Sequence, residues 1–299
     1  EFVMRAVGMP MKEIKNRIAY VLLLVGLSVM LYPTVSDWWN SRVQTRAIAT
    51  YNQSVEQMDT GDKERLLMEA HSYNATLSHL TAPFTNWEDA GNYDKILDIS
   101  GTGIMGYISI PKIQVELPIY HGTSAEVLNV AVGHLQGSSF PVGGENTHAV
   151  ISAHRGLPSA KLFSDLDQLV EGDTFTVTIL DEVLTYEVEK IFIVKPDELD
   201  KLAIIPGGDY VTLMTCTPYG VNSHRLLVRA HRVDTVYPHN VKVAADAVQL
   251  DSMSVVPFIA APLFVGLLVF WIVSSKRQKT RSRRELLAKL KEPEKKEGD

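Results

Sequence analysis

Cys216 is the only thiol in a chain of 299 residues, and its surroundings suit a reactive group. It ends the run Tyr210-Val-Thr-Leu-Met-Thr-Cys216, rich in β-forming residues, and Pro218 and Gly220 stop that run. A cysteine at a strand terminus projects toward a rim that a substrate can reach. To act as a nucleophile it must become a thiolate, which a nearby imidazole or guanidinium favours. Arg225 opens the next β-rich run after about eight residues, so antiparallel pairing would return it beside Cys216. His154 ends another such run and is followed by Arg155-Gly-Leu-Pro158, again a rim position. Cys, His and Arg at three strand ends are what a site assembled from several strands requires.

Plainer assignments compete with these. A lone cysteine is more often a buried small hydrophobe. Arg229 and Arg232 are alternatives to Arg225, and Arg229 would share its strand face. Thr215 either shapes the same pocket or simply fills the strand. His134, His148, His224 and His231 read as structural or surface histidines, and no pair has metal-site spacing. No metal and no cofactor are expected.

These residues need a scaffold of short strands. Runs at 106–110, 115–120, 148–153, 174–180, 184–194, 211–216 and 226–231 are rich in β-branched and aromatic residues, with turn signals between them. Seven or eight such strands fit a closed β-barrel or sandwich. Residues 124–132 and 159–169 have helical spacing and are expected to cover barrel openings. Upstream, Val43, Ile48, Tyr51, Val55 and Met58, then Leu66, Leu67, Ala70 and Tyr73, predict two helices broken near Thr60-Gly-Asp62. A turn-rich stretch at 81–103 follows.

Charge and hydropathy bear on location. Residues 34–254 carry 28 Asp+Glu against 15 Lys+Arg, a net of −13, and residues 276–299 carry 10 Lys+Arg against 5 Asp+Glu, a net of +5. An acidic middle gives no support to nucleic-acid binding. Residues 255–273 are uncharged over 19 positions and precede a Lys/Arg cluster from Lys276 to Arg284, the pattern of a membrane span with a cytoplasmic stop. The apolar run from Ile18 to Tyr32 follows Lys12, Lys15 and Arg17. An uncleaved signal-anchor is preferred there over a signal peptide, because no small-x-small site precedes Asp37; a buried core helix stays open. Both termini would then be cytoplasmic and the middle of the chain extracellular.

Thr-Leu-Met-Thr-Cys216 with Arg225 nine residues on resembles the sortase signature, and Ile151-Ser-Ala-His154-Arg-Gly-Leu157 resembles that family's histidine segment. Cys216-Thr-Pro-Tyr-Gly220, His224-Arg-Leu-Leu-Val228 and the double-anchor layout resemble class C, the pilus-assembling sortases of Gram-positive bacteria. The resemblance covers roughly Asn40 to His231, and the three motifs are specific only together. It implies a mainly β fold: an eight-stranded sortase β-barrel with N-terminal helices and transmembrane helices at both ends. It also implies catalysis by Cys216, His154 and Arg225. Cys216 would attack the Thr–Gly bond of a Leu-Pro-x-Thr-Gly-like signal on a pilin, and a lysine of the next pilin would release the thioacyl intermediate. His154 as imidazolium would protonate the departing amine. Arg225 would either stabilise the oxyanion or position the signal backbone. Class C enzymes carry a lid with Asp-Pro and an aromatic. Here Pro83 and Phe84 match, but Ala82 replaces the aspartate. The lid would be held by Phe84 packing alone, or with Glu88 or Asp89 substituting.

The expected organisation is a cytoplasmic N-terminus (1–17), a span (18–35), a helical region (36–80), a lid loop (81–103), the catalytic barrel (104–240), a linker (241–254), a second span (255–274) and a basic cytoplasmic tail (275–299). Expected partners are pilins and the membrane. Alternatives are a sortase that uses a peptidoglycan-precursor amine, a cysteine peptidase that uses water, and a non-catalytic scaffold for pilus assembly.

Overall fold

The computed structural model describes residues 11–99 and 101–235, together with Gly266. The expected second span, its linker and the basic tail lie outside the described residues. Helix α1 (Met11–Gln57) contains the first apolar run and continues through the polar region without interruption at residue 35, with Pro33 inside it. Its apolar part is long enough to cross a membrane, and Val21, Leu22, Leu23, Val25, Val29 and Met30 are all exposed. Among the described residues no protein core covers that face, as expected of a stretch surrounded by lipid.

The second helix, α2 (Thr60–Leu77), begins where Asp59 caps it, its carboxylate accepting from the Asp62 amide at 2.8 Å. The helix break therefore falls just before Thr60-Gly-Asp62, which form the first turn of α2. Its buried face, Leu66, Ala70, Tyr73, Asn74 and Leu77, joins the barrel core. The turn-rich stretch becomes a short helix α3 (Pro83–Asn86) and two single 3₁₀ turns at Trp87–Ala90 and Tyr93–Lys95.

Eight strands follow: β1 (Ile104–Ile110), β2 (Val115–His121), β3 (Val132–His134), β4 (Thr147–Ser152), β5 (Thr174–Ile179), β6 (Glu182–Val194), β7 (Asp209–Thr217) and β8 (His224–Val233). They close into a barrel in the order β1-β2-β3-β4-β7-β8-β6-β5. Two neighbours are parallel, β2 with β3 and β4 with β7, and the remaining pairs are antiparallel. Closure removes the sheet edges that an open β-protein must protect. Ile108, Ile119, Ile151, Val177, Leu213 and Val228 fill the interior.

Two helix expectations are corrected. Of residues 124–132, only α4 (Ala125–Leu128) is helical, and the chain then enters β3. Parallel pairing with β2 claims that segment. Gly133 permits it, because a Cβ there would lie 2.2 Å from the Gly122 carbonyl oxygen. Residues 159–169 keep one 3₁₀ turn, Leu166–Gln168. Their regularly spaced apolar residues Leu162, Phe163, Leu166 and Leu169 are buried as the spacing suggests, but Leu162 sits at φ 42°, which breaks a helix.

The N-terminal helices are part of the folded unit. The Tyr51 hydroxyl of α1 donates to the Met105 carbonyl at 2.9 Å and accepts from the Leu180 amide at 2.7 Å, beside the β1–β5 closure. Burial holds this phenol in its neutral form, well above the usual tyrosine range. Tyr51→Phe leaves a buried N–H and a buried C=O unpaired. It is expected to cost about 1–3 kcal/mol in chemical denaturation without changing the far-UV spectrum.

Candidate active site

Three central strands bring the three sequence-derived residues into one row. Cys216 of β7 faces Arg225 of β8 directly in the antiparallel register. On the other side, β4 runs parallel to β7 with Ser152 opposite Met214. The Ala153 amide extends that pairing by donating to the Met214 carbonyl at 3.1 Å. Continuing the register two residues past Ser152 aligns His154 with Cys216. Paired residues share a sheet face, so Cys216 and Arg225 point the same way, and His154 lies at the neighbouring strand end. At about 4.8 Å per strand spacing, the row spans roughly 10 Å. All three side chains are half-buried, so they are accessible yet partly shielded from water.

The row lies on the outer face of the barrel wall. Val211, Leu213 and Thr215 alternate with it and point into the core. Thr215 is buried, and its hydroxyl donates to the Ala153 carbonyl at 2.8 Å. It therefore ties β7 to the backbone unit just before His154 and does more than fill the strand. The His154 carbonyl in turn accepts from the Phe163 amide at 3.2 Å.

The competing arginines are separated by register. Arg229 faces Thr212, four residues along β8 from Arg225, pairs with Glu189 at 3.4 Å, and lies over the rings of Phe192 and Tyr210. Arg232 lies over the Tyr186 ring, toward the far end of β8. The Arg225 guanidinium donates to the carbonyls of Asn222 at 3.4 Å and His224 at 3.2 Å. Among the described residues it forms no ion pair, and neither Glu88 nor Asp89 reaches it.

Phe84 packs on the same outer face. It joins Leu135, Phe192 and Met214 around a cluster of Val150, Val194, Leu202 and Leu227. Of these, Met214 is two residues from Cys216 and Leu227 two from Arg225. The backbone of Pro83 and Phe84 sits directly on Gly137, where a Cβ would lie 2.6 Å from Phe84 Cα and 2.7 Å from the Pro83 carbonyl oxygen. Sequence inspection missed this seat, because a glycine in a turn gives no sign of what will rest on it. The segment is fastened on either side by Leu77, buried in α2, and by Tyr93. The Tyr93 ring packs with Tyr73, Trp87, His121, His134 and Phe140.

Two other histidines are structural. His134 is fully buried; its Nε2–H donates to the Ser139 carbonyl at 2.8 Å and its Nδ1 meets the Tyr93 hydroxyl at 2.9 Å. His148 donates from Nδ1 to the Ala203 carbonyl at 2.8 Å, so its Nε2 accepts from the Thr212 hydroxyl at 2.7 Å. Burial disfavours the imidazolium in both, pushing His134 down to about 3 and His148 to about 4.

Residues 108–233 match the family model described as Sortase domain. Sortase D of Bacillus subtilis (strain 168) is 34% identical over 114 residues, covering 38% of this chain and 54% of that protein, so the chain spans about half the length of this curated relative. The crystal structure of sortase C1 from Streptococcus agalactiae superposes with a TM-score of 0.59 at 51% identity, covering 64% of this chain and all of that one. Sortase C from Clostridium perfringens, solved with the C-terminal cell wall sorting motif, superposes with a TM-score of 0.56 at 42% identity, covering 64% of this chain and all of that one.

Two predictions follow from the packing. Because His134 and His148 bind protons more weakly when folded, the unfolded state takes up more protons below about pH 6.5. Stability is fully present above that pH and is lost as pH falls toward about 4 for His148 and about 3 for His134. Denaturant midpoints should decline across this window, and less steeply in His148→Gln. Gly137→Ala should displace the 82–86 segment. The check is hydrogen exchange, which should speed up at those amides while β4 and β7 stay protected.

Proposed function

The chain belongs to the sortase family, and on that premise we propose that it is a membrane-tethered cysteine transpeptidase of class C type that polymerises pilins. The observation that carries this reading is the alignment of His154, Cys216 and Arg225 across β4, β7 and β8. The Cys216 thiolate attacks the threonine carbonyl of a Leu-Pro-x-Thr-Gly-like signal, and the carbonyl oxygen takes the negative charge. Arg225, next to Cys216 on the neighbouring strand, is positioned to donate to that oxyanion or to the signal backbone. When the tetrahedral species collapses, the C–N bond to glycine breaks. The leaving amine takes a proton from the His154 imidazolium. The resulting thioester is attacked by a lysine amine of another pilin, which passes a proton back to His154 as the Cys216 thiolate departs. The product is an amide joining two subunits.

Half-burial suits each role. The thiolate is partly stripped of water and lies close to a cation, while the rim stays open to a peptide. Phe84 and Pro83 act as the lid over this face, seated on Gly137 and held by apolar packing. Ala82 supplies no carboxylate, which leaves Arg225 free of an acidic lid partner. The exposed apolar run of α1 supports one membrane anchor. In this reading the span at 255–274 is the second, with both termini cytoplasmic and the barrel outside.

The test incubates the full chain in detergent with a pilin carrying a Leu-Pro-x-Thr-Gly-like signal, beside a Cys216→Ala control, and reads products by denaturing gel and mass spectrometry. The expected result is a ladder joined through lysine amides and present only with Cys216. A cleaved signal without a ladder would move the assignment to another acceptor, either a cell-wall precursor amine or water. No Cys216-dependent product would favour a scaffold. Phe84→Ala should speed alkylation of Cys216 by iodoacetamide several-fold. An unchanged rate would remove the lid assignment.

A further inference from the structure

His154 lies outside β4, which ends at Ser152, so no strand ladder holds its ring in the row with Cys216. The turn that carries it, Arg155-Gly156-Leu157, must be fixed by other contacts. Gly156 sits at φ 74°, and its amide donates to the Ser164 hydroxyl at 3.0 Å. Its open face is covered by Tyr219. A Cβ at 156 would lie 2.9 Å from Tyr219 Cε2 and 3.0 Å from Cζ. The same ring lies beside the Arg155 guanidinium, 5.7 Å from its centroid. Arg155 is pinned from the other side by an ion pair with Asp167. Its side chain is only 9% exposed, and among the described residues its buried Nε–H has no hydrogen-bond partner. The guanidinium thus lies between the Tyr219 ring and the Asp167 carboxylate.

Tyr219 is otherwise an anomaly. It follows Cys216 by three residues in the β7–β8 loop and is 63% exposed. A residue that exposed contributes little to the core. Its ring nevertheless touches two consecutive residues of the histidine turn, and it belongs to the loop that leaves the nucleophile.

We propose that Tyr219 is a positioning residue that clamps the His154 turn against the end of β7, acting on the reaction through His154. The ring bridges the two loops that carry nucleophile and proton donor. Gly156 makes room for it, and Arg155, braced by Asp167, provides a cationic contact on its face. Removing the ring frees the His154 turn to move relative to Cys216 while Thr215 still holds Ala153. Proton transfer depends steeply on such placement: a misplacement of about 1 Å costs on the order of a hundredfold in rate. This inference rests on the assignment of His154 and Cys216 as partners.

The test compares wild type, Tyr219→Ala, Tyr219→Phe and His154→Ala in two assays. One is turnover of the signal-bearing pilin. The other is the pH profile of Cys216 alkylation by iodoacetamide, which needs no substrate. Tyr219→Ala is expected to lower kcat about tenfold or more with KM little changed. It should also shift the alkylation profile toward that of His154→Ala, while thermal midpoints stay close to wild type because the residue is exposed. Tyr219→Phe, which keeps the ring, should restore both. An alkylation profile and kcat for Tyr219→Ala that superimpose on wild type would overturn the proposal, as would a Tyr219→Phe variant as impaired as Tyr219→Ala. Failure of the pairing itself is seen separately, as a His154→Ala alkylation profile identical to wild type.

Discussion

Side chains along a strand alternate between faces, so slipping β7 by one residue against β4 and β8 would turn Cys216 from the outer wall into the packed interior. Everything chemical in the molecule depends on that register. It is fixed from inside, where Val211, Leu213, Val228 and Ala230 are fully buried. A slip would exchange these for Thr212, Met214 and the polar residues of the outer row. The apolar core therefore sets the address of each catalytic candidate, although none of the three belongs to the core.

The outer face is built in rows, and the rows divide labour. Nearest the strand ends lie the three site candidates, Cys216 facing Arg225, with His154 just past the end of β4. One step down, Ser152, Met214, Leu227 and Phe192 form a largely apolar surface, on which Phe84 rests. Further along, Arg229 is occupied by Glu189 and two aromatic rings. The segment around Phe84 is held by shape, through Gly137 and the aromatic cluster around Tyr93.

Polar groups buried away from the site serve attachment. Tyr51 fastens α1 to the barrel closure, and Asn74 fastens α2, its amide and carbonyl groups bonding the carbonyl and amide of Phe140 at 3.0 and 2.7 Å. Each satisfies backbone groups that would otherwise be stranded in an apolar setting. His134 and His148 do the same and stay neutral at physiological pH. Tyr51 and Asn74 tie the N-terminal helices to the barrel.

The sequence by itself determined seven of the eight strands and the two N-terminal helices, and it named the candidate residues of the site. Strand-length runs of β-branched residues and a cysteine, a histidine and an arginine at their ends are local patterns. It did not reveal β3, because three residues around Gly133 carry no periodic signal. The expected helix at 159–169 likewise mistook burial of Leu162, Phe163, Leu166 and Leu169 for helical geometry. The offset from Cys216 favoured Arg225 over Arg229 on the same strand face, and the β7–β8 register places Arg225 opposite Cys216. The fold also settled that Phe84 lies on Gly137 and that Tyr219 covers Gly156. Such contacts join residues far apart in the chain, and they exist only once barrel closure has brought the loops between the strands together.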